Sequence, residues 1–385
     1  MDPVRTAALA LAGLLTLTTP AAAAPDAAPR LPAPTGSHAV GVTSLHLKDA
    51  SRRDPWVPAA TSRELMVSVW YPAAGTRGRH RAPYVTPKES ELLIKDAGLP
   101  GVAPGTLSKV RTNAFTDAVP AGRRHGLPLV VLSPGLGSPR SSLTGLAEDL
   151  ASRGNVVVGI EHTYESAATA FPDGRVTTCV ACGNKAPDFG ERVVRSRAAD
   201  VSFVLDQLTG AKPKWRGAAL IDRTRIGMAG QSVGGASSVA AMVRDERIRA
   251  GANLDGTTFA PIPERGLSRP FLFLGSPEMH GPGGKDGSWA RDWKKLTGWK
   301  RWLVVTGAEH ASFTDVPLLA EQIGLDLGFS MTGARSLEIT RACVAAFFTR
   351  HLTGKPQPLL DEPSARYPEV TVGGQVRSLG QRSPR

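Results

Sequence analysis

The sequence predicts an α/β fold in which a mostly parallel central sheet carries helices on both faces, with an insertion near the functional site. Strand-length apolar runs alternate with helical stretches across residues 127–352, the rhythm of parallel strands joined by right-handed crossovers. The run Leu-Pro-Leu-Val-Val-Leu-Ser at 127–133 is apolar without alternation, as expected of a strand buried on both faces. Residues 225–238 then read as a short strand, a sharp turn and a helix of small residues.

Taken in order, residues 1–24 have Arg5, an apolar run over 7–17 and a string of alanines after Pro20. That is the pattern of a secretory signal peptide cleaved near Ala23, and the run is too short and interrupted to span a bilayer. The expected protein is secreted. Residues 25–38 are rich in Pro and Ala and are expected to form a flexible lead-in to one domain over 39–354. Residues 40–47 and 65–71 alternate and carry β-formers, so they are expected as strands of an antiparallel edge. Residues 72–126 read as a surface excursion with one helical stretch near 90–97. After the strand at 127–133 come a helix over 141–153, a strand at 156–160 and an insertion over 165–190. An amphipathic helix follows at 191–208 with apolar residues such as Val193, Val194, Val201, Val204 and Leu208. The strand at 226–229 leads to a helix over 233–243. Three more short strands are expected at 250–254, 271–274 and 302–305, then a last helix at 336–352. Residues 355–385 read as a peripheral tail.

The turn at 230–234, Gly230-Gln231-Ser232-Val233-Gly234, is a G-x-S-x-G pattern. In a nucleophile elbow the serine is strained at the tip of a strand-to-helix turn, so the residues two positions either side must lack bulk. A serine hydroxyl needs a base to take its proton, and the base needs a third group to hold it. On this architecture acid and histidine follow the serine on loops after later strands. Asp255 in Asn253-Leu254-Asp255-Gly256 and His310 in Glu309-His310-Ala311 stand at such points. Glu278, after the next strand, is a rival acid, and His162 and His280 also lie past strands. An oxyanion hole needs two N–H donors. The residue after the serine, Val233, supplies one, and Leu136 in the loop Gly135-Leu136-Gly137 is the best second. Together these point to a serine hydrolase on an α/β-hydrolase fold.

The formal net charge is +12, but Lys and Arg are scattered among acids and apolar residues rather than gathered into a nucleic-acid-binding arm. Such charge suits weak adsorption to an anionic lipid surface or cell wall. Of three cysteines, Cys179 and Cys182 are spaced for a local disulfide in an exported protein, and no second pair completes a zinc site. No metal or organic cofactor is implied.

The stretches Leu-Met-Val-Ser-Val-Trp-Tyr-Pro-Ala (65–73), Pro-Leu-Val-Val-Leu-Ser-Pro-Gly-Leu-Gly (128–137), Glu-Asp-Leu-Ala-Ser-Arg-Gly (148–154), Gly-Gln-Ser-Val-Gly-Gly-Ala (230–236), Asn-Leu-Asp-Gly (253–256) and Glu-His-Ala-Ser-Phe (309–313) occur in order. They resemble the plasma-type platelet-activating-factor acetylhydrolase family, calcium-independent α/β-hydrolases that cleave short acyl chains from phospholipids, with bacterial relatives that are secreted esterases. The resemblance implies Ser232 as nucleophile, Asp255 as acid, His310 as base, and Leu136 with Val233 as oxyanion donors. It implies a small ester or phospholipid as substrate. Two positions depart from it: where the family often has histidines, this chain has Pro134 and Gln231, both expected to shape the acyl pocket. A lipase or polyester hydrolase with a wider apolar cleft is the nearest alternative, and a non-catalytic binding protein on the same fold the more distant one.

Overall fold

The computed structural model of the chain describes residues 28–373. The leader expected at 1–24 lies outside the described residues. The N-terminal part builds strands β1 (Val40–Asp49), β2 (Arg63–Gly75) and β3 (Arg81–Pro83), helix α1 (Pro87–Asp96), and strands β4 (Arg111–Thr116) and β5 (Val119–Pro120). The central part runs β6 (Leu127–Ser133), α2 (Thr144–Ser152), β7 (Val156–His162), the small hairpin β8 (Thr169–Ala170) and β9 (Val176–Thr177), then α3 (Phe189–Thr209). Next come β10 (Ile221–Gln231), α4 (Val233–Arg244), β11 (Ile248–Leu254), β12 (Phe271–Gly275), α5 (Pro277–His280) and α6 (Ser288–Trp293). The chain finishes with β13 (Lys300–Val305), α7 (Val316–Gln322), α8 (Gly333–Thr353) and β14 (Val370–Val372).

Twelve of these strands join one sheet, in the order β14-β13-β12-β11-β10-β6-β7-β2-β1-β4-β3 with β5 on β2. From β13 to β7 every neighbouring pair is parallel, while β2 runs antiparallel to both β7 and β1. Successive side chains on a strand point to opposite faces, and β6 makes this visible. Val130 and Leu132 pack with Leu146 and Leu150 of α2 and Phe347 and Phe348 of α8. Leu129 and Val131 face the other way, onto Val201, Val204 and Leu208 of α3 and Val239 and Met242 of α4. A strand sandwiched this way has no polar face to show, which is why its sequence does not alternate. Each such side chain, fully buried, contributes roughly 1.5–3 kcal/mol of transfer free energy.

Three expectations need correction. Residues 28–38 are not a free lead-in where they are described: Leu31 is buried, the Thr35 N–H and hydroxyl both donate to Asp149, and the His38 N–H donates to the Ser152 carbonyl. The stretch 72–126 is more than a surface excursion, because β4 extends the sheet in parallel alongside β1 and β3 pairs with β4. Its Tyr84, Val85 and Val110 pack with Leu31 and with Leu318, Leu319 and Leu337. The tail after residue 354 is also less peripheral than its composition suggests. Leu360 is fully buried, and β14 closes the sheet edge against β13. Among the described residues no helix is long and apolar enough to cross a membrane.

Candidate active site

The C-terminal ends of β6, β10, β11 and β13 meet at one edge of the sheet, and each delivers a residue to the same place. β10 ends at Gln231, and Ser232 turns the chain into α4 with φ 56° and ψ −127°. A non-glycine residue held there costs on the order of 1–3 kcal/mol, and its surroundings hold it. The Ser232 N–H donates to the Leu254 carbonyl at 2.9 Å, and its own carbonyl accepts from Ala236 at 3.0 Å. The flanking glycines are required by contact. A Cβ on Gly234 would stand 1.9 Å from the Ser133 carbonyl oxygen, and one on Gly230 would stand 2.3 Å from the Gly234 carbonyl carbon.

Asp255 follows β11 directly and also takes a left-handed backbone, φ 54°. The turn is stapled by Asn253, whose amide donates to the Gly256 carbonyl at 2.8 Å while its oxygen accepts the Gly256 N–H at 2.9 Å. Gly256 then lies so close to the elbow that a Cβ would meet the Ser232 carbonyl at 2.0 Å. His310 opens the 3₁₀ turn His310–Phe313 after β13 and donates from Nδ1 to Asp255 Oδ2 at 2.7 Å. Asp255 Oδ1 accepts the Ser276 N–H at 2.7 Å, the Ser276 hydroxyl at 2.9 Å and His280 Nδ1 at 2.8 Å. Burial opposes ionisation of this carboxyl, but the hydrogen bonds from His280 and His310, the His280 charge and the Ser276 N–H outweigh it. The group is held well below the usual carboxylate range.

The rival positions go elsewhere. Glu278 is an exposed residue of α5 paired with Lys285, away from His310. His162 is buried between the Ser133 hydroxyl (3.0 Å) and Asp200 (2.8 Å). Gln231, expected to shape the acyl pocket, is buried and bonded to His310. Its Nε2 donates to the His310 carbonyl at 3.0 Å and sits 3.3 Å from His310 Nε2. A neutral ring that donates from Nδ1 to Asp255 has Nε2 left to accept, on the side of the Gln231 amide.

Beyond β6, Gly135 lies against Ser232, since a Cβ there would stand 3.4 Å from Ser232 Cβ. The Gly137 N–H is taken by the Glu165 carbonyl at 2.8 Å and the Ser138 N–H by Gly135. Among the described residues this leaves the Gly135 and Leu136 N–H groups as the unengaged donors of the loop. The carbonyls of this loop are turned inward by Arg197 of α3, which donates to the Pro134 carbonyl and, from NH1, to the Ser133 hydroxyl at 3.2 Å. Arg197 in turn pairs with Glu165 at 2.7 Å, and Arg63 bridges Asp54, Glu165 and Asp200 at 2.7–3.2 Å. All of these ionic groups are buried, so removing one partner would strand the others at a cost of about 3–5 kcal/mol. Sequence reading missed this network. The available signal was that Arg197 and Asp200 share the apolar stripe of α3 with Val193, Val201 and Val204.

The insertion at 165–190 packs beside the loop through an isolated bridge between Gly137 and Ser166. Cys179 and Cys182 form a disulfide within it, while Cys343 is free and buried, its thiol pushed up to about 12 by burial. Trp56, Val193 and Val194 form an apolar cluster on which Leu136, Tyr164, Phe189 and Val233 pack. A wall of aromatic and aliphatic side chains thus flanks Ser232. No group of three or more His, Cys, Asp or Glu among the described residues is arranged to hold a metal ion.

Sheet order and elbow make this an α/β-hydrolase, and the proteins it resembles make it an esterase. The chain matches the family described as platelet-activating factor acetylhydrolase, isoform II, over residues 24–177 and 207–357, and it belongs to that family. A probable 1-alkyl-2-acetylglycerophosphocholine esterase of Arthroderma benhamiae is 28% identical over 88% of this chain and 92% of its own length. The platelet-activating factor acetylhydrolase of Gallus gallus is 23% identical over 85% of this chain and 84% of its own. Among solved structures, a ferulic acid esterase from Streptomyces cinnamoneus is 45% identical, superposes with a TM-score of 0.79, and covers 90% of this chain and 99% of its own.

Proposed function

We propose that Ser232, His310 and Asp255 are the catalytic triad of this ester hydrolase, with the Leu136 and Val233 N–H groups as its oxyanion hole. What supports the reading most is the 2.7 Å contact from His310 Nδ1 to Asp255 beside a serine held at φ 56°. Ser232 Oγ attacks the ester carbonyl while His310 Nε2 takes its proton, and the two N–H groups receive the charge that develops on oxygen. His310 then returns the proton to the departing alcohol, leaving an acyl-serine. A water molecule, deprotonated by the same nitrogen, attacks that ester, and the carboxylic acid leaves as Ser232 recovers its proton. No step calls for a metal or organic cofactor.

For the substrate, we infer a compact acyl group on a small ester or phospholipid, as the names of the acetylhydrolase relatives suggest. A second reading is favoured by the aromatic wall of Trp56, Tyr164 and Phe189 and by the 45% identical ferulic acid esterase: a planar hydroxycinnamoyl group could stack there. Rates on p-nitrophenyl esters from acetate to laurate, on a 2-acetyl phospholipid and on methyl ferulate separate the two. Activity should survive excess EDTA and fall steeply beyond short acyl chains. Faster hydrolysis of emulsified long-chain triglyceride than of short soluble esters would replace both readings with the lipase alternative.

We also propose that the protein acts outside the cell. The leader pattern at 1–24 and the Cys179–Cys182 disulfide support this, because disulfides persist in oxidising compartments. N-terminal sequencing of protein recovered from culture medium should begin at about residue 24. Retention of the whole active protein in the cell with Met1 or Asp2 at its N-terminus would overturn this.

A further inference from the structure

Behind Asp255 stands a second histidine that the triad does not use. His280 closes α5 and is buried to 1% exposure. Its Nδ1 lies 2.8 Å from Asp255 Oδ1 and its Nε2 lies 3.1 Å from Asp286 Oδ2. An ionised carboxylate only accepts hydrogen bonds, so a ring placed between two of them must donate from both nitrogens, and a ring that donates from both is an imidazolium. Asp255 has no room for a proton of its own, since it already receives donors from Ser276 twice and from His310. Asp286 is likewise engaged, accepting the Ser288 N–H at 2.6 Å.

The ring is also fixed in place. Trp289 of α6 stacks on it with centroids 4.4 Å apart and planes 22° from parallel. The Trp289 indole donates to the Gly256 carbonyl at 2.7 Å, and the Trp302 indole of β13 donates to the His280 carbonyl at 2.7 Å. Among the described residues the only charged side chains hydrogen-bonded to the ring are Asp255, from the end of β11, and Asp286, from the segment before α6. On its own segment Glu278 and Lys285 pair with each other at the surface.

We propose that His280 is a positioning residue, an imidazolium fixed between Asp255 and Asp286 that sets how strongly Asp255 acts on His310. The proposal rests on the triad reading above. A packing role alone would need the shape of the ring and one N–H, whereas two carboxylates supply what a charge needs. Burial would depress the ring, but the hydrogen bonds to Asp255 and Asp286 outweigh it and push it up to about 9. The charge therefore persists through the neutral range. Its effect has a definite sign. A cation beside Asp255 offsets the negative field that His310 feels, so protonated His310 is less favoured and the base is free at lower pH. Taking the cation away leaves that field uncompensated, and protonated His310 persists to higher pH.

The test uses the full chain as wild type, His280→Asn and Asp286→Asn. The asparagine at 280 keeps an N–H donor for Asp255 but no charge, and the one at 286 keeps the ring but removes its outer counter-charge. The rising limb of kcat/KM should move to higher pH by about 0.5–1 unit in His280→Asn and by less in Asp286→Asn. In ¹⁵N-histidine-labelled wild type, both His280 nitrogens should be protonated at pH 7.5, and Asp286→Asn should lose that state at lower pH. If His280→Asn does not fold, the Asp286→Asn profile and the wild-type spectrum decide. A limb that stays in place in folded variants, or a neutral His280 at pH 7.5, overturns the proposal. A fluorophosphonate label on the same preparations separates the two readings. Labelled Ser232 with an unmoved limb removes only the role of His280, whereas labelling at another serine removes the triad and this proposal with it.

Discussion

Ser232→Ala should lower kcat by about 10⁶, the scale on which a triad fails when its nucleophile is lost, and it should do so in a folded protein. Alanine removes one oxygen atom at a half-buried position. The φ of 56° is maintained by backbone bonds to Leu254 and Ala236, none of which involves the hydroxyl. The variant should therefore unfold at nearly the wild-type temperature and keep its affinity for substrate. Phosphonate labelling that persists in the variant would mean that another serine is the nucleophile.

Asp255→Asn should lower kcat by about 10⁴ by allowing the His310 imidazole to take the wrong tautomer. Glu278→Gln should leave kcat within about twofold, because surface pairs such as Glu278–Lys285 contribute little. The reverse ranking would transfer the acid role to Glu278. Asp255→Asn should also cost stability at assay pH. Its carboxyl is depressed below the ordinary value in the folded chain. A group shifted that way stabilises the fold at pH values above its unfolded pKa and loses that contribution only as acid titrates it. Thermal melts of variant and wild type at neutral pH and at about pH 3 measure this, and the gap between them should narrow in acid.

The parts of the site legible in the sequence are those with a local signature. A strand followed by a glycine-flanked serine and a small-residue helix can form few other structures, because Gly230 and Gly234 touch backbone where any side chain would collide. Asp255 and His310 were readable from their order along the chain, since each follows a strand of a parallel sheet. What stayed hidden depends on contacts between distant segments. The strand β4 contains Arg, Thr and Asn, and nothing in it announces that its carbonyls and amides meet those of β1. The three residues of β14 are too few for any periodicity. His280 and Gln231 were visible as positions, one past a strand and one inside the elbow motif, but their partners, Asp255 in one case and His310 in the other, come from distant segments.

The buried ion network divides the labour of the chain in an unexpected way. Asp54, Arg63, Glu165, Arg197 and Asp200 all precede residue 201, and together they brace the loop that carries the Leu136 N–H. The residues of the proposed triad, Ser232, Asp255 and His310, and the pair His280 and Asp286 behind Asp255, all follow it. On the proposed reading, the amino-terminal portion supports one oxyanion donor, Leu136, while the carboxy-terminal portion supplies the triad and the other donor, Val233. On that reading, substitutions in the buried network should act on how tightly the charged intermediate is received, and those at His280 and Asp286 on when the base is free. A mutational survey scored by turnover at one pH would blend the two, whereas one that also scored the position of the acid limb would separate them.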